Sequence, residues 1–165
     1  MPFGKVDIYL ENLTVLENEI IMKEAKVAEK FARDFIKTNR EVWANPLETA
    51  IYHILAEAIR IALEEKILKE EDLFKEDKFV FKKLKESKNL KIVKNIEILS
   101  PKLRIEENPS DYDFYIKTKP RFIDPKCFHE GKLLRVSEIS NGFKKYLEEQ
   151  KVIMGKGHYI KIIRS

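Results

Sequence analysis

The stretch "NIEILSPKLRIEE", residues 95–107, is where the chain changes texture. Up to Leu99 the apolar residues keep helical spacing. Ser100-Pro101 then stops the helix, because proline lacks the amide that a further turn needs and disfavours helical geometry in the residue before it. Beyond it, "KLRIEE", "DFYIKTKPRFI" and "KLLRVSEI" are β-branched and aromatic, interrupted by Pro109, Pro120, Pro125 and Gly131. Such segments read as strands joined by turns. Helices before the boundary and a small sheet after it make the expected fold class α+β. The expected division is a hairpin plus helical bundle over residues 1–100 and a small mixed α/β sheet portion over 101–165, in one compact unit.

Working back from the boundary, "NLKIVKNIEIL" is a helix, and "KEEDLFKEDKFVFKKLKES" is one or two short helices with Leu73, Phe74, Phe79, Val80 and Leu84 as apolar members. The strongest local signal lies at Asn45-Pro46-Leu47-Glu48. Asn45 can cap with its side-chain oxygen, Pro46 has its φ preset for a first turn, and Glu48 can answer as in a capping box. From there a helix is expected to about Leu68, with Leu47, Ile51, Ile54, Leu55, Ala58 and Ala62 inward and His53, Glu57, Arg60 and Glu64 on a polar stripe. Val27, Phe31, Phe35 and Ile36 place another helix from Lys23 to about Val42. "LTVLENEIIM" reads as a hairpin turning at Glu17-Asn18. Towards the C-terminus, "SNGFKKYLEEQ" is a short amphipathic helix, and "KVIMGKGHYIKII" reads as a strand, a glycine turn and a second strand.

Bulk properties narrow the function. The chain has 165 residues, 44% of them hydrophobic and 36% charged, with 32 basic against 28 acidic. That density of both signs suits the ion-pair-rich surface of a thermophile. A single cysteine, Cys127, excludes an internal disulfide framework and suits a reducing cytosol. With no apolar run of membrane-spanning length and no basic-then-apolar leader, a cytoplasmic, non-membrane protein is expected. The net charge of +4 comes from the C-terminal end, where Lys144, Lys145, Lys151, Lys156, Lys161 and Arg164 outnumber Glu148 and Glu149. With His158 they form a candidate basic patch. The helix around Phe143, followed by a hairpin carrying Lys156 and His158, would resemble the end of a winged-helix module touching nucleic-acid phosphates. A solvated basic face is the plainer reading.

Catalytic motifs are missing from the sequence. The three histidines, His53, His129 and His158, are not followed by Asp and do not fall at metal-binding helical spacing. Cys127-Phe128-His129 offers two ligands where zinc wants about four. Ser137, Ser140 and Cys127 lack a nucleophile elbow or base. Gly155-Lys156-Gly157 is too short to cradle phosphates. No metal, cofactor or catalytic residue is therefore expected.

Three stretches together resemble a known family. "VDIYLENLTVLENEIIM" as a hairpin, the helix "EKFARDFIKTNREVW" and the helix opened by Asn45-Pro46 follow one another as in the region after the catalytic core of HD-superfamily phosphohydrolases of the deoxynucleoside-triphosphate triphosphohydrolase type. "LLRVSEIS" and "GKGHYIKII" fit that family's second half. The resemblance implies an accessory or regulatory domain, silent alone, acting through a partner that bears the His-Asp core and is encoded nearby, or through homo-oligomers. It also implies a ligand-facing junction at Arg40, Trp43 and Asn45. Trp43 there keeps an aromatic able to stack on a base, while Asn45 and Pro46 stand where relatives carry a donor and a cation. As residues of this chain alone, Trp43 is packing and Asn45 is a cap.

Overall fold

A computed structural model describes residues 6–163. In chain order the first half comprises α1 (Val6–Asn12), β1 (Leu13–Leu16), β2 (Glu19–Met22), α2 (Ala25–Thr38), a π-type turn (Asn39–Trp43), α3 (Pro46–Glu64), a 3-10 turn (Glu70–Phe74), α4 (Asp77–Lys85) and α5 (Leu90–Ile98). There follow β3 (Ile105–Glu107), β4 (Phe114–Ile116), β5 (Lys126–His129), β6 (Lys132–Arg135), α6 (Val136–Ile139), α7 (Asn141–Met154) and β7 (His158–Ile162). The fold is α+β. Its contacts group residues 6–44 with 118–156, and residues 45–117 with 157–163. The chain therefore crosses three times between two compact units, and none of the crossings falls at residue 100.

In the first unit the sheet order is β1-β2-β5-β6, antiparallel except for the parallel pairing of Met22 with Cys127. Glu17 and Asn18 have φ of 50° and 64°, the left-handed pair that a two-residue hairpin requires. Glu130 and Gly131 repeat the device between β5 and β6. On α2, Ala28, Ala32 and Ile36 fall one turn apart and are fully buried, together with Met22, Cys127, Val136 and Phe143. The small alanines let neighbouring elements approach closely.

The second unit has a helical core of Ala58, Ile61, Ala62, Leu68, Val80, Leu84, Ile92 and Ile96. Its sheet, β3-β7-β4, is antiparallel, and Ile162 packs with Ile54 and Leu103. α3 opens as its sequence indicates: the Asn45 side chain accepts from the Glu48 amide at 2.9 Å, with Pro46 in the first turn. It closes earlier than expected, at Glu64. Lys66 adopts φ of 60°, and the amides of Lys66 and Ile67 donate to the carbonyls of Leu63 and Ala62, a Schellman closure without glycine.

Other expectations are corrected here. Val6–Asn12 is a helix, not part of the hairpin, because Tyr9 lies 5.1 Å from the Phe31 ring and its hydroxyl donates to Asp34. "KVIM" is the end of α7, not a strand: Met154 is buried and the amide of Gly155 donates to the Lys151 carbonyl. The C-terminal hairpin is therefore absent, and β7 is the central strand of its sheet. Leu47, Leu73 and Phe74 are exposed, not core residues, Phe74 at 92%. Among the described residues no helix is long and apolar enough to cross a membrane.

Candidate functional site

Of the three junction residues, Arg40 and Trp43 lie in the first unit, in the wider π turn that continues α2. Such turns interrupt the regular helical ladder and often mark functional positions. Arg40 donates to Oε1 of the buried Gln150 at 2.9 Å and to Glu41 at 2.9 Å, so its guanidinium ties the end of α2 to α7. Gln150, the partner 110 positions away, carried no sequence signal. Trp43 sets its ring edge-on to Phe35 at 5.9 Å yet keeps 54% of its surface in solvent. Next to Arg40, Asn39 is buried, and among the described residues its Nδ2 has no hydrogen-bond partner. A buried donor left unpaired carries a desolvation cost. Asn45 belongs to the second unit and is occupied as the cap of α3.

The basic patch is divided as well. Lys144, Lys145, Lys151 and Lys156 are in the first unit, whereas His158 and Lys161 are in the second; Arg164 lies outside the described residues. His158 Nδ1 meets Glu107 at 2.7 Å, Lys161 meets Asp111 at 2.8 Å, and Lys145 stands 4.0 Å from Glu149. Several of these charges are therefore already compensated. Lys144 and Lys151 stand exposed on α7.

The second unit has a cleft of about 320 Å³ bounded by α3, α5 and β4. His53, Glu57, Lys91, Lys94 and Asp113 line it over an apolar floor that includes Phe114. The imidazole of His53 stacks on Phe114 at 4.4 Å. Hydrogen bonds from Arg60 and Lys91 hold the Glu57 carboxyl below the usual range. Asp113 accepts from the Ile162 amide at 2.7 Å. The lining is charged and carries no hydroxyl or thiol. In the first unit a cleft of about 490 Å³ includes Lys23, Lys26, Glu29, His129 and Glu130.

The nucleophile candidates are engaged elsewhere. Cys127 is fully buried, and burial pushes its thiol above the ordinary range, which disfavours the reactive thiolate. Ser137 donates its hydroxyl to Asp124 at 2.6 Å, and its amide donates to the other oxygen of the same carboxylate. Asp124 thereby clamps the start of α6. Among the described residues, no three or more His, Cys, Asp or Glu side chains gather as a metal-ligand set.

No family model matches the sequence, and no solved structure matches the fold. The chain is 31% identical over 157 residues to the uncharacterized protein YdhJ of Bacillus subtilis (strain 168), a match that takes in 95% of this chain and 48% of that protein. It thus spans about half the length of the curated relative to which it is similar.

Proposed function

We propose that this chain is an accessory or regulatory α+β module, silent as a hydrolase alone, which works with a partner or further domain supplying the metal centre. The observation that carries the reading is its relation to YdhJ: nearly all of this chain corresponds to only half of a longer protein. A module that recurs as one part of a larger chain is suited to work beside another domain. The order of hairpin, helix and Asn45-capped helix adds the resemblance to the region after the core in HD-superfamily phosphohydrolases. In this reading Trp43 and Arg40, on their π turn, face the partner's nucleotide side, and Asn45 serves as a cap. The test is to incubate the purified protein with each deoxynucleoside triphosphate and Mn²⁺ or Mg²⁺. No turnover is expected. Activity that stays proportional to this chain through successive purification steps would overturn the proposal.

A second reading, electrostatic binding of nucleic acid, has the exposed ammonium groups of Lys144 and Lys151 in its favour. Binding of labelled single and double strands would then weaken steeply as salt rises. No binding at low salt removes it.

A further inference from the structure

The open edge of the first unit's sheet is self-complementary. Hydrogen-bonded and non-bonded pairs alternate along an antiparallel ladder. The amide of Lys23 donates to the carbonyl of Asn12 at 2.8 Å, which fixes the phase: Asn12/Lys23, Thr14/Ile21 and Leu16/Glu19 are the bonded pairs. Leu13 and Val15 fall between them, so their amides and carbonyls point away from β2, out of the sheet. The same two residues have exposed side chains, and Ile20, directly across from Val15, is 74% exposed.

Sheets are ordinarily protected at such edges by charge, proline or brevity. β6 carries Lys132 and Arg135, and β3 carries Glu106 and Glu107. β4 has three residues between Asp113 and Lys117. β1 reads Leu-Thr-Val-Leu, as long as β6 but with no charged residue or proline in it. α1 does not cover it, because Tyr9 seats that helix on α2.

We propose that β1 is the docking edge for a second copy of this chain, paired antiparallel about a two-fold axis through Thr14. Leu13 of one copy then faces Val15 of the other, and the outward groups of both residues are satisfied by four new backbone hydrogen bonds. The four strands become part of a continuous eight-stranded sheet. Each junction row runs Ile20, Val15, Leu13, Met22 across two copies, all on one face because facing residues in a ladder share a side. At each end of the pairing Glu17 comes near the second copy's Glu11, a like-charged pair that the ammonium of Lys23, 2.8 Å from the Glu11 carbonyl, offsets. The strand alone is smaller than the roughly 1,200 Å² of total burial that stable interfaces start from. The exposed Val6, Ile8 and Leu10, just ahead of it, supply further apolar surface.

The pairing is independent of the accessory role proposed above; a hydrolase assay does not bear on it. Sedimentation velocity of the full chain over a range of concentrations should show a monomer–dimer equilibrium. Val15→Lys should raise the dimer dissociation constant by about 100-fold or more, since an unpaired ammonium would be buried against Leu13, with the monomer's circular dichroism unchanged. Thr14→Cys provides a second readout. Non-bonded facing residues have Cα atoms about 4.5 Å apart, within disulfide range, so mild oxidation should cross-link the dimer, whereas the buried Cys127 stays reduced. A chain that remains monomeric at high concentration, a dimer indifferent to Val15→Lys, or a Thr14→Cys variant that fails to cross-link each overturns the proposal.

Discussion

In the first unit one edge of the sheet is Leu13–Leu16, an uncharged strand with aliphatic side chains in solvent, and the other carries Lys132 and Arg135; in the second both edges are strands bearing or flanked by Glu106, Glu107, Asp113 and Lys117. The second unit pairs many of its charges internally. His158 meets Glu107, Lys161 meets Asp111, and the nearly buried Asp72 accepts from Lys75 at 2.6 Å, Lys83 at 3.1 Å and the Lys69 amide. Both units hold ion pairs of their own, Lys30 with Asp34 and Lys126 with Glu19 among those of the first, so what separates them is the bare β1 edge. Under the pairing proposed above, that bare edge is where a second copy docks, and the guarded edges of the second unit are not.

The largest effect that sharpens this contrast is expected at Phe143, the bulkiest fully buried side chain, which lies in the first unit. Phe143→Ala should cost about 3–5 kcal/mol. Trp43, the only tryptophan, lies in the same unit, so the loss should be seen first as a lower midpoint of its fluorescence during denaturant unfolding. Next comes Gly157, in the second unit. Its φ is 72°, and a Cβ there would stand 2.6 Å from the Ile116 carbonyl oxygen and 2.7 Å from the Tyr115 hydroxyl. Gly157→Ala should cost about 2–3 kcal/mol and shift the far-ultraviolet transition more than the Trp43 signal. Equal shifts of both signals in both variants would break the two-unit comparison.

A smaller effect follows from Asp72. Hydrogen bonds from Lys75, the Lys69 amide and Lys83 hold its carboxyl far below the ordinary range. The folded state therefore resists protonation more than the unfolded chain does. The resulting stability is present above the usual carboxylate value near 4 and is lost as pH falls through the depressed one. Asp72→Asn should lower the neutral-pH melting temperature by roughly 5 °C and flatten the decline between about pH 4 and pH 2. An unchanged acid profile would remove Asp72 as a source of the second unit's stability.

Much of this was legible where the physics is local. Glu17-Asn18 names its turn and Asn45-Pro46 names its cap, both as read; the helix read from Val27, Phe31, Phe35 and Ile36 is present, but its fully buried face is Ala28, Ala32 and Ile36. The α+β class followed from the change of texture at Ser100-Pro101. What escaped depends on distant contacts. Val6–Asn12 is held helical by Phe31 and Asp34, and "KVIM" is rich in β-branched residues yet helical because Met154 completes a buried row with Phe143, Leu147 and Gln150. β5, "KCFH", is short and follows Pro120 and Pro125, so it left no alternating pattern. The candidate sites were less legible still. The resemblance singled out Arg40 and Trp43 but did not foretell Gln150, and charge grouped seven basic residues of which the six described fall in two units.

The contrast between an open and a closed unit is tested most directly by residue-resolved amide hydrogen exchange at several protein concentrations. The amides of Leu13 and Val15 should exchange freely in dilute solution and become protected as concentration rises, while those in the middle of β7 stay protected throughout. Leu13 and Val15 amides that exchange freely at every concentration, or that are protected even at the highest dilution, would contradict it.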